Sequence, residues 1–269
     1  MKRYFACSDI HSFYDAWMNA LHQKGFDINN SDHIIIICGD LFDRGRQSRE
    51  CFEFVRQMAD ADRLVYVRGN HEDLLFSLVH DIDKRRRIGY YHISNGTVQT
   101  LADMMDTNIY DVLDGLFEWE DWDKIINSDL LPFITKHSRD FFELGSTVFV
   151  HGWLPTDRTS DENPELAVHA SWREGDWSAA RWENGMEMFK FGLAPKDTTV
   201  VCGHWHASWG HNRMAKTSEE WGPTACFKTF MYHNDELNAN VIALDACTVY
   251  SNFVNCEVFN DEGEVVENV

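Results

Sequence analysis

A chain of 269 residues with 44% hydrophobic side chains can bury a full core. Its 16 Gly, 5 Pro and 25% charged residues are those of an ordinary globular protein and exclude a disordered or fibrous one. The 44 acidic residues against 24 basic ones give a formal net charge of -20, a field that opposes duplex nucleic acid or an anionic membrane as a resting partner. A phosphorylated substrate stays admissible, because bound divalent cations invert the local potential.

Met1 to Arg3 is followed by the short run Tyr4-Phe5-Ala6-Cys7, which is too brief for a signal peptide, and no stretch is long and apolar enough to span a bilayer. The seven cysteines are scattered and odd in number, as expected of reduced thiols in a cytoplasmic protein. Asn95-Gly96-Thr97 matches a glycosylation sequon, which without a secretory signal reads as chance.

The first seventy residues alternate between strand and helix. Tyr4–Ser8 is an apolar strand; Phe13, Trp17, Ala20 and Leu21 recur at helical spacing, with Gly25 placed to end that helix. His33–Cys38 is continuous and β-branched, the mark of a strand covered on both faces. Cys51, Phe52, Val55, Met58 and Ala59 give a second amphipathic helix, and Leu64–Val67 a third strand. This order predicts an α/β fold with right-handed crossovers. Leu74, Leu75, Leu78, Val79 and Ile82 mark another helix, ending in Lys84-Arg85-Arg86-Arg87. That basic run reads as a solvated helix C-terminus, with a phosphate patch as the alternative. Residues 90–140, roughly, form a helical insertion; strands return at Thr147–Val150 and Thr198–Cys202, and Val241–Leu244 and Val249–Phe259 read as strand pairs. No repeat or linker divides the chain, so residues 1–269 are expected to form one domain.

Five polar clusters each follow an apolar strand: Asp9-Ile10-His11, the Gly39–Gly45 run, Gly69-Asn70-His71-Glu72, His151-Gly152 and Gly203-His204-Trp205-His206. The carboxyl ends of strands are where α/β folds gather their ligands. Carboxylate, imidazole and one amide, with no thiolate among them, favour Mn²⁺, Fe or Zn²⁺. Singly, each residue has a plainer reading as a turn former, a helix cap or an ordinary histidine. Five in order, each at a strand end, outweigh those readings.

Asp9-x-His11, the Gly-Asp-x-x-Asp-Arg-Gly run at 39–45 and Gly-Asn-His-Glu at 69–72 resemble the phosphoprotein phosphatase branch of the calcineurin-like metallophosphoesterases, the bacterial and phage-type serine/threonine phosphatases most closely. The likeness is dense over residues 4–80, thin over 90–140, and returns at His151, Ser171-Trp172-Arg173, Gly203-His204 and Leu244–Cys247. It implies a four-layer α/β/β/α sandwich holding two divalent metal ions, manganese first among the candidates. Asp9 and His11 would hold the first metal, Asp40 would bridge both, and Asn70, His151 and His204 would complete the second. The nucleophile would be a hydroxide shared by the metals, attacking phosphorus directly. His71 would be the general acid, with Asp43 orienting it. Arg44 and Arg173, with Asn70, would bind phosphate oxygens.

His206 departs from that branch. In other metallophosphoesterases, nucleases and phosphodiesterases included, a histidine two residues after the second-metal ligand reaches the first metal, so both readings of His206 stay open. Cys7, Cys38 and Cys202 each precede a proposed ligand by two residues and read as small buried strand residues, with a redox-sensitive inner shell as the alternative. The tryptophans crowding 153–209 read mostly as core, with Trp153 or Trp205 as candidates for a stacking wall at the site's mouth.

The expected activity is hydrolysis of a phosphate monoester, on a phosphoprotein or a small molecule. A dinucleoside polyphosphate hydrolase is the neighbouring alternative, a branch that tends to lack the aspartate at the position of Asp43. A nuclease would use His206 but meets the adverse net charge, and a non-catalytic scaffold would be expected to have lost ligands. Oligomeric state is not legible in the sequence.

Overall fold

A computed structural model of the chain describes residues 1–84, 86–114, 128–158, 166–168 and 170–266. Arg85 of the basic run and residues 115–127 of the expected insertion lie outside the described residues. In chain order the strands are Arg3–Cys7 (β1), His33–Cys38 (β2), Leu64–Val67 (β3), Ser138–Arg139 (β4), Phe142–Leu144 (β5), Thr147–Phe149 (β6), Thr156–Arg158 (β7), Leu166–Val168 (β8), Thr199–Cys202 (β9), Phe230–Asn234 (β10), Ala239–Ala243 (β11) and Cys256–Phe259 (β12). They form two five-stranded sheets, β12-β1-β2-β3-β4 and β10-β11-β9-β6-β5, and a small β7-β8 ribbon. Neighbours among β1 to β4 are parallel, and so are β6, β9 and β11; the first sheet adds one antiparallel edge strand, β12, and the second adds two, β10 and β5.

The side-chain period of two places the layers. Tyr4, Ala6, Ile34, Ile36, Cys38, Val65 and Val67 of the first sheet pack on Phe149, Val201, Ile242 and Leu244 of the second. The alternate residues Phe5, Cys7, Ile35, Ile37 and Tyr66 face outward onto helices Tyr14–Gln23 (α1), Ser48–Asp60 (α2) and Asn70–Asp83 (α3). Both faces of β2 are therefore covered, which is why its sequence is an unbroken isoleucine run. On the far side Val148, Val200, Cys202 and Val241 pack against helices spanning Trp177–Ala180, Gly185–Lys190 and Ala207–Arg213. The fold is thus the expected α/β/β/α sandwich. No helix among the described residues is long and apolar enough to cross a membrane.

One local expectation needs correction, and one strand was not foreseen. The stretch read as strand from Val249 holds a helix, Thr248–Ser251, before β12 begins at Cys256. Cys247 and Asn252 adopt left-handed backbone (φ 48° and 58°) and turn the chain sharply at each end of it. Strand β10, an edge strand with Met231 and Tyr232 exposed, lacks the alternation that would have announced it. The insertion begins as Tyr90–Ser94 (α4) and Thr97–Met104 (α5), followed by helices at Ile109–Asp114 and Leu130–His137. Lys84 and Arg86 pair with Asp83 and Asp81 on the exposed end of α3.

Candidate active site

The ends of β1, β2, β3, β6, β9 and β11 open onto one rim of the sandwich and carry Asp9, Asp40, Asn70, His151, His204 and Asp245 respectively. Asp9, His11, Asp40, Asp43, Arg44 and His204 all have positive φ, between 51° and 75°. Such backbone costs about 1–3 kcal/mol per residue and persists only where its surroundings enforce it. Here it turns the side chains from the sheet plane into a common cleft. The two sheets touch there: the His204 N–H, after β9 of the second sheet, donates to Asp9 Oδ2, after β1 of the first (2.9 Å). A methyl on Gly203 would collide with Ser8 and Asp9, so that approach requires glycine.

Asp40 is the hub. Its Oδ1 lies 3.2 Å from His151 Nε2 and accepts the His71 N–H at 3.0 Å, while Oδ2 lies 3.9 Å from His11 Nε2 and 3.8 Å from His71 Nε2. One carboxylate therefore faces two donor sets with its two oxygens. Asp9 Oδ1 approaches His11 Nε2 at 3.9 Å on the first side. On the other, Asn70 Oδ1 lies 2.8 Å from His151 Nε2 and 2.9 Å from His204 Nδ1. Donor atoms of His11, Asp40 and His71 lie within 4.8 Å of one another, as do those of Asp40, His151 and His204.

Each of the three expected histidine ligands is anchored through its other ring nitrogen. His11 Nδ1 donates to the Phe42 carbonyl (3.0 Å), His151 Nδ1 to that of Cys38 (2.8 Å) and His204 Nε2 to that of Trp182 (3.1 Å). Such backbone anchors fix the tautomer and aim the remaining lone pair, as around bound metals. Burial holds His11 well below the usual histidine range, and burial with the neighbouring His151 brings His204 down to about 4. A neutral His204 has one ring proton, yet acceptor oxygens flank both its nitrogens, leaving the Nδ1 lone pair facing Asn70 Oδ1. A divalent cation held by His204 and Asn70 would satisfy both. Asp9, Asp40, Glu72 and Asp245 add four buried carboxylates to the same rim. The donor set fits two divalent cations.

The carboxylates show the same deficit of positive charge. Burial, with Asp40 beside it, raises Asp9 to about 6, and burial with Asp9 raises Asp245 well above the carboxylate range. Burial opposes ionisation of Asp40 too, but the His151 and His71 imidazoles outweigh it and hold its carboxyl well below that range. Burial likewise works against a charged His151, yet Asp40 and Asp9 raise it to about 10. Its Nε2 faces Asp40 and Asn70, and to hold a cation there His151 would have to give up that proton.

Behind the cluster, His71 Nδ1 donates to Asp43 Oδ2 (2.7 Å), and Arg44 Nη2 lies 3.2 Å from His71 Nε2. Burial lowers the His71 pKa, but Asp40 and the hydrogen-bonded Asp43 prevail and raise it. Fully buried Asp43 also accepts the hydroxyls of Thr97 (3.0 Å, Oδ2) and Thr100 (2.6 Å, Oδ1), both on α5. The sequon threonine is thus buried beneath the site. Glu72 accepts the N–H groups of Asp40 (3.1 Å), Leu41 (3.0 Å) and Gly69 (2.7 Å) and the Tyr66 hydroxyl (2.8 Å), tying two site loops together. Thr97, Thr100, Glu72 and Asp245 had been given no role from sequence. Glu72 alone carried a local signal, a glutamate three residues after the Gly69 cap.

Two expected members are not brought into the cluster. Arg173 forms a two-pronged pair with Glu143 of β5 (3.1 and 2.6 Å) and lies 4.2 Å above the Trp172 ring, with its guanidinium already paired at an exposed position. His206 is engaged elsewhere: its Nδ1 meets Ser208 Oγ at 2.7 Å and its ring packs against Trp205 and Trp221. Asn70, expected on both metal and phosphate, offers its oxygen to the histidines. Burial pushes the Cys38 and Cys202 thiols up, which favours packing over redox chemistry. Trp153 is fully buried, its Nε1 donating to the Leu193 carbonyl, whereas Trp205 is 38% exposed.

Comparison with known proteins agrees with this geometry. The family described as calcineurin-like phosphoesterase matches residues 2–208. The chain is 32% identical over 79 residues to an asymmetrical bis(5'-nucleosyl)-tetraphosphatase of Bacillus velezensis, covering 27% of this chain and 32% of that protein. It is 32% identical over 87 residues to a symmetrical bis(5'-nucleosyl)-tetraphosphatase of Buchnera aphidicola, covering 32% of this chain and 30% of that one. The chain thus spans about a third of the length of these curated relatives. Among solved structures, one described only provisionally as a diadenosine tetraphosphatase superposes with a TM-score of 0.51 at 17% identity, over 98% of this chain and 92% of its own. A mutant cold-active protein tyrosine phosphatase gives 0.50 at 16% identity, over 99% and 80%. At such identities these likenesses concern the fold.

Proposed function

Because the chain belongs to the calcineurin-like phosphoesterase family, we propose that it hydrolyses phosphate monoesters at a dinuclear metal centre built on this rim. Asp9, His11 and Asp40 would hold one ion, and Asp40, Asn70, His151 and His204 the other. Bound divalent cations supply positive charge and an acidified water at the phosphoryl group. The observation carrying this reading is Asp40, whose two oxygens face the His11 and His151 sides separately. His71 delivers the proton to the departing oxygen, held in orientation by Asp43. Arg44, exposed beside His71, contacts the phosphoryl oxygens, and Arg173 is left out because Glu143 occupies it.

A second reading, hydrolysis of dinucleoside polyphosphates, is favoured by the tetraphosphatase relatives. It uses the same centre, with a phosphate chain in place of the alcohol. The test is a panel assay of purified protein with Mn²⁺ on an aryl phosphate, a bis-aryl diester, a phosphopeptide and diadenosine tetraphosphate. Turnover of the aryl phosphate supports the first reading and turnover of the tetraphosphate alone the second. Hydrolysis of only the diester contradicts both.

A further inference from the structure

The rim continues past His204 into a row of aromatic rings. Trp182 and Trp205 flank the His204 ring at 5.9 and 6.2 Å; Trp205 stacks on His206 (6.2 Å, 24°), and His206 lies 4.4 Å from Trp221. Trp221 and Tyr250 rest on buried Phe227 at 6.0 and 5.2 Å and meet edge to face at 6.1 Å. Trp182, Trp205, Trp221 and Tyr250 are 45%, 38%, 59% and 55% exposed, so four large aromatic side chains are left to solvent in one continuous path from a proposed metal ligand. Isolated exposed aromatics need no explanation, but a connected row leading from a site does.

We propose that this row is the seat of a nucleobase, so that the substrate of the site is a nucleotide or nucleoside polyphosphate. The inference rests on the phosphoesterase reading and names its substrate class. An aromatic face prefers a planar, weakly polar partner, and every nucleobase has one. The length of the row discriminates. The ring of a phosphotyrosine is bonded directly to the ester oxygen and would meet first Trp182 and Trp205, the rings beside His204. Trp221 lies beyond His206, and Tyr250 beyond Trp221, which extends the row in a way that suits a base carried on a ribose. His206 is the spacer in this row, anchored by Ser208, which accounts for the histidine that the metal cluster does not use. The net charge of -20 argues that the occupant is a small nucleotide and not a nucleic-acid strand.

The test uses matched probes with and without a base. With Mn²⁺, kcat/KM is measured for AMP against ribose 5-phosphate and for ATP against tripolyphosphate. Adenosine binding to the protein is followed separately by tryptophan fluorescence. The base-bearing member of each turned-over pair is expected to be preferred. Trp221→Ala should cut that preference and the adenosine affinity about tenfold, the scale of one lost base–aromatic stack, and Trp221→Phe should restore most of both. Equal kcat/KM within each pair, or adenosine affinity unmoved by Trp221→Ala, overturns the proposal even if ribose 5-phosphate is hydrolysed. Loss of all hydrolysis with adenosine binding intact and Trp221-dependent would remove the catalytic reading and leave the base site standing.

Discussion

Replacing Asp43 by asparagine keeps the side chain's shape and removes its charge where three donors converge. The buried carboxylate accepts His71 Nδ1–H at 2.7 Å and the Thr97 and Thr100 hydroxyls at 3.0 and 2.6 Å. A charge-assisted hydrogen bond contributes about 1.5–3 kcal/mol, and the one to imidazole strengthens as His71 becomes cationic. If His71 protonates the departing oxygen, that energy leaves the transition state, a loss of roughly 10- to 150-fold in kcat. The loss has a signature. A p-nitrophenolate departs without a proton and an alkoxide does not, so a series of aryl and alkyl phosphates should show a small effect for the first and the full effect for the second. The sign with pH follows. Asp40 and Asp43 outweigh burial and raise the His71 pKa, so the competent acid survives to higher pH, and activity falls as pH rises through that pKa. Asp43→Asn removes one raising charge, so the basic limb with an alkyl phosphate should begin at lower pH. Equal loss across leaving groups, or an unshifted basic limb, refutes the assignment of His71 as acid.

Thr100→Val removes a hydroxyl that donates to Asp43 and accepts the Asp43 N–H (2.9 Å); denaturant unfolding should show a loss of about 1–3 kcal/mol. Gly96→Ala places a methyl against the Arg44 backbone at φ 82°, so about 1–3 kcal/mol of stability should be lost and KM should rise as the Arg44 loop shifts. Arg44→Ala should lower kcat/KM for phosphate monoesters about 10-fold or more, whereas Arg173→Ala, breaking an exposed pair with Glu143, should change it less than about threefold. Steady-state kinetics on one aryl phosphate separates the two arginines.

What the sequence displayed was whatever is local. β2 was readable because both its faces are buried, and α2 and α3 because one stripe of each is. The site motifs were readable because each ligand follows its own strand directly, so a short window holds both. Partners brought together by the tertiary fold were not. Thr97 and Thr100 stand 54 and 57 residues from Asp43, and nothing in an ordinary helix start tells that its hydroxyls seat a buried aspartate that far back in the chain. Arg173 carried the right chemistry in the right neighbourhood, and only the contact with Glu143 shows that its fork is taken. The Val249–Phe259 stretch misled because its composition is that of a strand, while left-handed turns at Cys247 and Asn252 decide its path.

The central claim is that one carboxylate, Asp40, joins two metal sites. Crystals grown with Mn²⁺ and measured at the manganese absorption edge test it directly. Two anomalous peaks flanking Asp40 are expected, one touching Asp9 and His11 and the other Asn70, His151 and His204. A single peak, or peaks that leave Asp40 unligated, would contradict it.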